Sequence, residues 1–197
     1  MSYSHILGVD EAGRGPLAGP VSVGVVKVAA NFDIRGAFPG VNDSKKLSET
    51  IRETIYKEME SRAKAGDLSF CVRMTSAAMI DKHGITKAVI SGVWSGIRNL
   101  SPEPIGVRVL LDGLLHAPPE YAQQTIIKGD ATEPVISLAS IAAKVRRDRL
   151  MKKLASEYPE YLFEVHNGYG TKKHYEMIEK WGVCDIHRRS FLGLTTH

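Results

Sequence analysis

Ile6-Leu7-Gly8-Val9-Asp10-Glu11-Ala12-Gly13-Arg14-Gly15-Pro16-Leu17-Ala18-Gly19-Pro20-Val21 is the stretch on which the reading of this chain turns. Ile6 to Val9 is a short apolar run that predicts a buried strand, and it runs into two carboxylates, Asp10 and Glu11. Val21 to Val28 is rich in β-branched residues and predicts a second strand. The glycines between them fit the G-x-G-x-x-[GA] dinucleotide fingerprint, with Asp33 about 20 residues on. That fingerprint requires a helix to open at the glycines, so that its N-terminus meets a pyrophosphate. Gly19-Pro20 and a valine-rich strand follow instead, and Asp10 and Glu11 would repel pyrophosphate. Two readings of the segment remain. It is a tight turn between strands, or it brings bare backbone and the charge of Arg14 close to a ligand.

Working outward, residues 30–46 read as loop, with Gly36, Pro39, Gly40 and Asn42 as breakers. Ser48 with Glu49 opens a helix to about Ala65, which Gly66-Asp67 stops. Leu68 to Met74 is a third strand, and Gly84 separates helices over Ser76–His83 and Ile85–Asn99. Val107 to Leu111 is a fourth strand and Gln124 to Lys128 a fifth. Pro134 to Glu157 is a long helix ended before Pro159, and Thr171 to Trp181 a shorter one. Early strands together, then strands alternating with helices, predict one α/β domain: a mixed sheet with helices on its faces.

Three strands end alike. Ile6–Val9 runs into Asp10 and Glu11, Val107–Leu111 into Asp112-Gly113, and Thr125–Lys128 into Gly129-Asp130. Sites in open α/β sheets form outside strand ends, so neighbouring strands would bring the four carboxylates together. Their repulsion would be relieved by divalent cations, and an all-oxygen set suits Mg²⁺ or Mn²⁺. Taken singly, each aspartate reads equally as a helix cap or a turn residue.

Composition narrows the class. The chain has 197 residues, 43% apolar and 24% charged, which excludes a disordered or fibrous protein. Cys71 and Cys184 stand far apart, so neither a disulfide framework nor a cysteine-rich zinc site is expected. No signal peptide and no membrane-length apolar run is read, so a cytoplasmic protein without membrane contact is expected. A monomer is expected, although no residue pattern speaks to oligomeric state. The net charge of +4 lies wholly in residues 144–197, where 11 basic groups face 7 acidic ones. A basic end on a neutral body suggests an anionic partner such as nucleic acid, or simply a solvated helix face.

The Asp10-to-Val21 stretch resembles the opening block of bacterial ribonuclease HII, the type 2 ribonuclease H. Asp43-Ser44-Lys45-Lys46-Leu47 and Leu111-Asp112-Gly113 resemble its second and third blocks. Lys128-Gly129-Asp130-Ala131-Thr132, continuing through Ser137 to Asp148, is similar to the fourth. Gly168-Tyr169-Gly170-Thr171-Lys172 and His187-Arg188-Arg189-Ser190-Phe191 are similar to the last two. Glu133, Leu138 and Val183-Cys184 depart from the pattern, away from the acidic positions.

The resemblance implies a single ribonuclease H-like domain over residues 1–197, with a helical substrate-binding part from about residue 158. It implies a metal-dependent endonuclease that cuts the RNA strand of RNA/DNA hybrids. It also implies cutting 5′ of single ribonucleotides in duplex DNA, leaving 3′-hydroxyl and 5′-phosphate ends. Two Mg²⁺ or Mn²⁺ ions would be held by Asp10, Glu11, Asp112 and Asp130. Gly13, Arg14 and Gly15 would read the ribose 2′-hydroxyl, and Tyr169 would meet the RNA–DNA junction.

Other positions keep two readings. Ser44, Lys45 and Lys46 suit phosphate, or a helix start with solvated lysines. Ser137, Ser140, Lys144 and Asp148 share one face of the long helix, able to meet a nucleic-acid backbone. For Lys144 with Asp148 the plainer reading is an i,i+4 pair, and Asp148 is read as structural. Arg188, Arg189, Lys172 and Lys173 form the basic end, expected to contact phosphates. His166, His174 and His187 read as surface or supporting residues, and Trp94 and Trp181 as core.

Overall fold

A computed structural model describes residues 3–41 and 47–194. Five strands form one mixed sheet: β1 His5–Ala12, β2 Val21–Ala29, β3 Leu68–Thr75, β4 Val107–Asp112 and β5 Ala122–Ile126. Their order across the sheet is β3-β2-β1-β4-β5. β2 runs antiparallel to both β1 and β3, whereas β1, β4 and β5 are mutually parallel. The helices are α1 Ile34–Ala37, α2 Glu49–Ala65, α3 Ala77–His83, α4 Ile85–Leu100, α5 Gly129–Thr132, α6 Pro134–Glu157, α7 Phe163–His166 and α8 Lys172–Trp181.

The central strands are apolar on both faces because both faces are covered. Leu7, Val9, Val21, Val23 and Val25 meet Val89, Val93 and Ile97 of α4. Val26 and Val28 belong to a second core with Ile136, Leu138 and Ile141 of α6 and Tyr56 and Met59 of α2. α6 lies unusually close to the sheet, and two glycines permit it. A Cβ on Gly8 would stand 2.3 Å from the Val135 carbonyl oxygen, and one on Gly24 2.1 Å from that of Ala139. A small third core, with Met151, Tyr161 and Phe163, ties α6 to the C-terminal helices.

Several boundaries differ from expectation. The loop after β2 contains α1, capped by Asp33, whose Oδ1 accepts from the Gly36 amide at 3.0 Å. Asp33 is thus a helix cap, as expected of a short polar residue before a turn of helix. β5 begins and ends two residues earlier than Gln124–Lys128. Ile127 is exposed and Lys128 adopts φ 55°, so the chain has already left the sheet to start α5. Trp181 is exposed and not core, with Lys180 over its ring, whereas Trp94 is half-buried against the α4 core.

Candidate active site

The parallel strands β1, β4 and β5 place their carboxyl ends on one edge of the sheet. Val9 pairs with Leu111 and Asp112 with Ile126, so Asp10, Asp112 and the β5–α5 turn carrying Asp130 emerge side by side. Asp10 is 3% exposed and Asp130 1%. Burial pushes the Asp10 carboxyl well above the usual carboxylate range. A hydrogen bond from Ser140 opposes the rise, and the charges of Glu11 and Asp112 add to it. Burial also raises Glu11, offset by Arg14 and reinforced by Asp112. Arg14 reaches Glu11 Oε1 at 3.5 Å, and the Glu11 amide donates to Asp10 Oδ1 at 2.7 Å. The Asp130 amide donates to Asp112 Oδ1 at 3.4 Å. Among the described residues, no three His, Cys, Asp or Glu side chains already close on a common point as a ligand set. What the fold supplies is two buried carboxylates, Asp10 and Asp130, beside the half-buried Glu11 and Asp112, with Glu11 and Asp112 repelling Asp10.

Beside them opens a cleft of about 260 Å³ lined by Glu11, Ala12, Gly13, Arg52, Ser140, Lys144 and Tyr169. It therefore joins residues from β1, the glycine segment, α2, α6 and the loop before α8. Gly13 has φ +87°, and a Cβ there would overlap Arg147 Nε at 2.1 Å, so only glycine fits. Tyr169 is 42% exposed. Lys144 Nζ and Arg147 Cζ lie 5.9 and 5.8 Å from its ring centroid, within cation–π range.

The α6 face divides. Ser140 bonds to Asp10, and Lys144 lines the cleft while pairing with Asp148 at 2.8 Å. Asp148 is buried, and Ser137 donates to the Val41 carbonyl, so these two face the protein. Ser44, Lys45 and Lys46 lie outside the described residues. Arg52, whose guanidinium donates to the Leu47 carbonyl, was not singled out from sequence. Its signal was weak, a single arginine early in an amphipathic helix.

The basic end is not uniformly solvated. Lys172, Lys173 and Arg189 are exposed, but Arg188 is fully buried and bonds backbone carbonyls, so it is not a surface phosphate contact. The three histidines are buried as well, in a supporting position. The Cys184 amide donates to His187 Nδ1 at 3.0 Å, which places the His187 proton on Nε2. His187 Nε2 then donates to His174 Nε2 at 3.1 Å, and His174 Nδ1 donates to the Tyr169 carbonyl at 2.9 Å. The relay ends on the backbone of the tyrosine that borders the cleft.

Comparison with known proteins agrees in every direction. The profile of the family described as "Ribonuclease HII" matches residues 7–193. A ribonuclease HII of Bacillus cereus (strain B4264) is 47% identical over 188 residues, covering 95% of this chain and 69% of that protein. The ribonuclease H2 structure from Pyrococcus horikoshii OT3 superposes with a TM-score of 0.76 at 27% identity, covering 94% of this chain and 93% of that one. The ribonuclease HII of Archaeoglobus fulgidus, solved in complex with PCNA, superposes at 0.75 with 25% identity, covering 93% of each chain.

Proposed function

We propose, from the premise that this chain belongs to the ribonuclease HII family and is a ribonuclease H acting on RNA/DNA, that it cuts 5′ of single ribonucleotides embedded in duplex DNA as well as within RNA/DNA hybrids. The products would carry 3′-hydroxyl and 5′-phosphate ends. The observation that carries this reading is the meeting of buried carboxylates with a cleft bordered by Gly13 and Tyr169.

The donor set fits hard divalent cations. It is all oxygen, and the negative charges of Glu11 and Asp112 raise the Asp10 carboxyl, a repulsion that a bound cation would relieve. Asp10, Glu11, Asp112 and Asp130 would hold two Mg²⁺ or Mn²⁺ ions. Such ions, when bound, acidify a water and stabilise charge on a leaving oxygen in phosphoryl transfer.

The remaining work falls to the chain itself. Ser140 donates to Asp10 and favours its ionised form despite burial. Arg14 offsets the charge of Glu11. The Gly13–Gly15 backbone reads the 2′-hydroxyl, the handle that separates RNA from DNA without regard to base. Tyr169 stacks at the junction, with its ring already flanked by two cations. Lys144, with Ser44, Lys45 and Lys46, contacts the phosphate backbone and sets register. The exposed lysines and Arg189 of the C-terminal helical part add salt-dependent affinity. Two unpaired cysteines and the absence of a membrane-length apolar helix among the described residues accord with a cytoplasmic setting.

The test is a mutational series on one substrate. Asp10→Asn and Asp130→Asn should lose metal-dependent cutting of a duplex with one ribonucleotide while still binding it. Full activity in both would remove the carboxylates from the mechanism.

A further inference from the structure

We propose that Arg188 is a positioning residue for ribonucleotide recognition, orienting the backbone of Gly13, Arg14 and Gly15 from beneath. The proposal rests on the reading that this backbone meets the 2′-hydroxyl.

Arg188 is 0% exposed, a rare place for a guanidinium. Its donors are spent on main-chain oxygens of one segment. Nη2 donates to the Gly13 carbonyl at 2.7 Å, Nη1 to the Arg14 carbonyl at 2.8 Å and Nε to the Gly19 carbonyl at 2.9 Å. Burial lowers its pKa to about 9, with nearby Arg147 adding to the fall, so it stays cationic at neutral pH. A buried cation held by three carbonyls and the Phe191 ring, 5.2 Å from its Cζ, with no carboxylate bonded to it, is costly to place. Its return is geometric. In a trans peptide the carbonyl of one residue and the N–H of the next point in opposite directions. Holding the Gly13 and Arg14 oxygens toward Arg188 therefore turns the N–H groups of Arg14 and Gly15 away from it. The planar fork sets two successive peptide planes at once, and a lysine ammonium lacks that fork.

The anchor is itself anchored. The Arg188 amide donates to the Leu17 carbonyl at 2.7 Å, and the Gly19 amide to the Ile186 carbonyl at 2.8 Å. On the far side, the Asp81 carboxylate accepts from the Arg189 and Ser190 amides at 2.9 and 3.1 Å. Arg147 adds a strut between the glycine segment and the Tyr169 loop, donating to the Pro20 and Ala18 carbonyls and to that of Asn167.

The test measures discrimination. Binding of two labelled duplexes, one all-DNA and one with a single ribonucleotide, is compared with Mg²⁺ present. An Asp130→Asn background keeps the substrate intact. The parent should prefer the ribonucleotide duplex. Arg188→Lys should lower that preference roughly tenfold, about the loss of one hydrogen bond to the 2′-hydroxyl. Affinity for all-DNA duplex should stay within about twofold, since phosphate contacts set that term. A general loosening of the fold would lower both affinities together and so overturn the proposal. An unchanged preference in Arg188→Lys would also overturn it. A parent without preference would instead refute the underlying reading of the glycine backbone. If Arg188→Lys does not fold, Asp81→Asn releases the segment from outside. It should lower the preference in the same direction, and an unchanged ratio there is equally fatal.

Discussion

Acidification should destabilise this protein through its buried histidines. Burial pulls His174 and His187 to about 4; His174 further lowers His187, and His166 lowers both. The hydrogen bonds give the reason in atoms. His187 Nδ1 already accepts from the Cys184 amide, and His174 Nε2 accepts from His187. A proton added to either nitrogen would face another donor. Other groups around the pair are the Cys184 thiol, Arg189 and the rings of Tyr161 and Phe163. A histidine whose pKa falls on folding adds stability above about 6.5, and that stability is lost as pH drops from 6.5 toward 4. Between pH 7.5 and 5.0 each histidine should forfeit about 2 kcal/mol, and the pair about 4, a large share of a typical 5–15 kcal/mol. Asp10 and Glu11 act in the opposite sense, because their raised carboxyls bind protons more readily in the folded state. The decisive comparison is therefore urea unfolding of wild type and His174→Phe at both pH values. The variant should lose about 2 kcal/mol less on acidification than wild type. Equal losses, or an imidazole resonance of His174 or His187 titrating between pH 6 and 7, would refute the reasoning.

Other consequences follow from the same geometry. Gly24→Ala forces a methyl against the Ala139 carbonyl and should destabilise by about 1–3 kcal/mol or more in chemical denaturation, whereas a change under about 0.5 kcal/mol would contradict the close packing of α6. Asp10→Asn removes a buried carboxylate that its neighbours repel, so the metal-free protein should melt higher than wild type even as cutting is lost; a lower melting temperature would count against that electrostatic account. Tyr169→Ala should weaken cutting at an RNA–DNA junction by about 10- to 100-fold, from the ~1–3 kcal/mol of one aromatic–base stack, with Tyr169→Phe largely restoring it. Equal kinetics for all three proteins would reduce the tyrosine to scaffold.

β1, β2 and β4 were legible because they are buried on both faces and so are rich in valine, isoleucine and leucine, as in Val21 to Val28. Asp10 and Asp112 were legible because each follows such a run directly, whereas Asp130 stands four residues past the end of β5. Less visible was whatever depends on a distant partner. β5 has no buried residue, so its apolar content did not mark its ends. α1 is a single turn, held by one aspartate cap. Arg188 and Arg189 are adjacent and chemically alike, yet one is wholly buried against the distant carbonyls of residues 13, 14 and 19 and the other is exposed. The histidine relay spans residues 169–187 in an order that no helical or strand periodicity records.

The most direct measurement uses a labelled DNA duplex carrying one ribonucleotide, incubated with Mg²⁺, with Mn²⁺ and with a chelator. The account predicts a cut immediately 5′ of the ribonucleotide in the presence of metal, ending in 3′-hydroxyl and 5′-phosphate, and none with chelator. Cutting that survives the chelator, or folded protein that binds this duplex with either metal and leaves it whole, would contradict it.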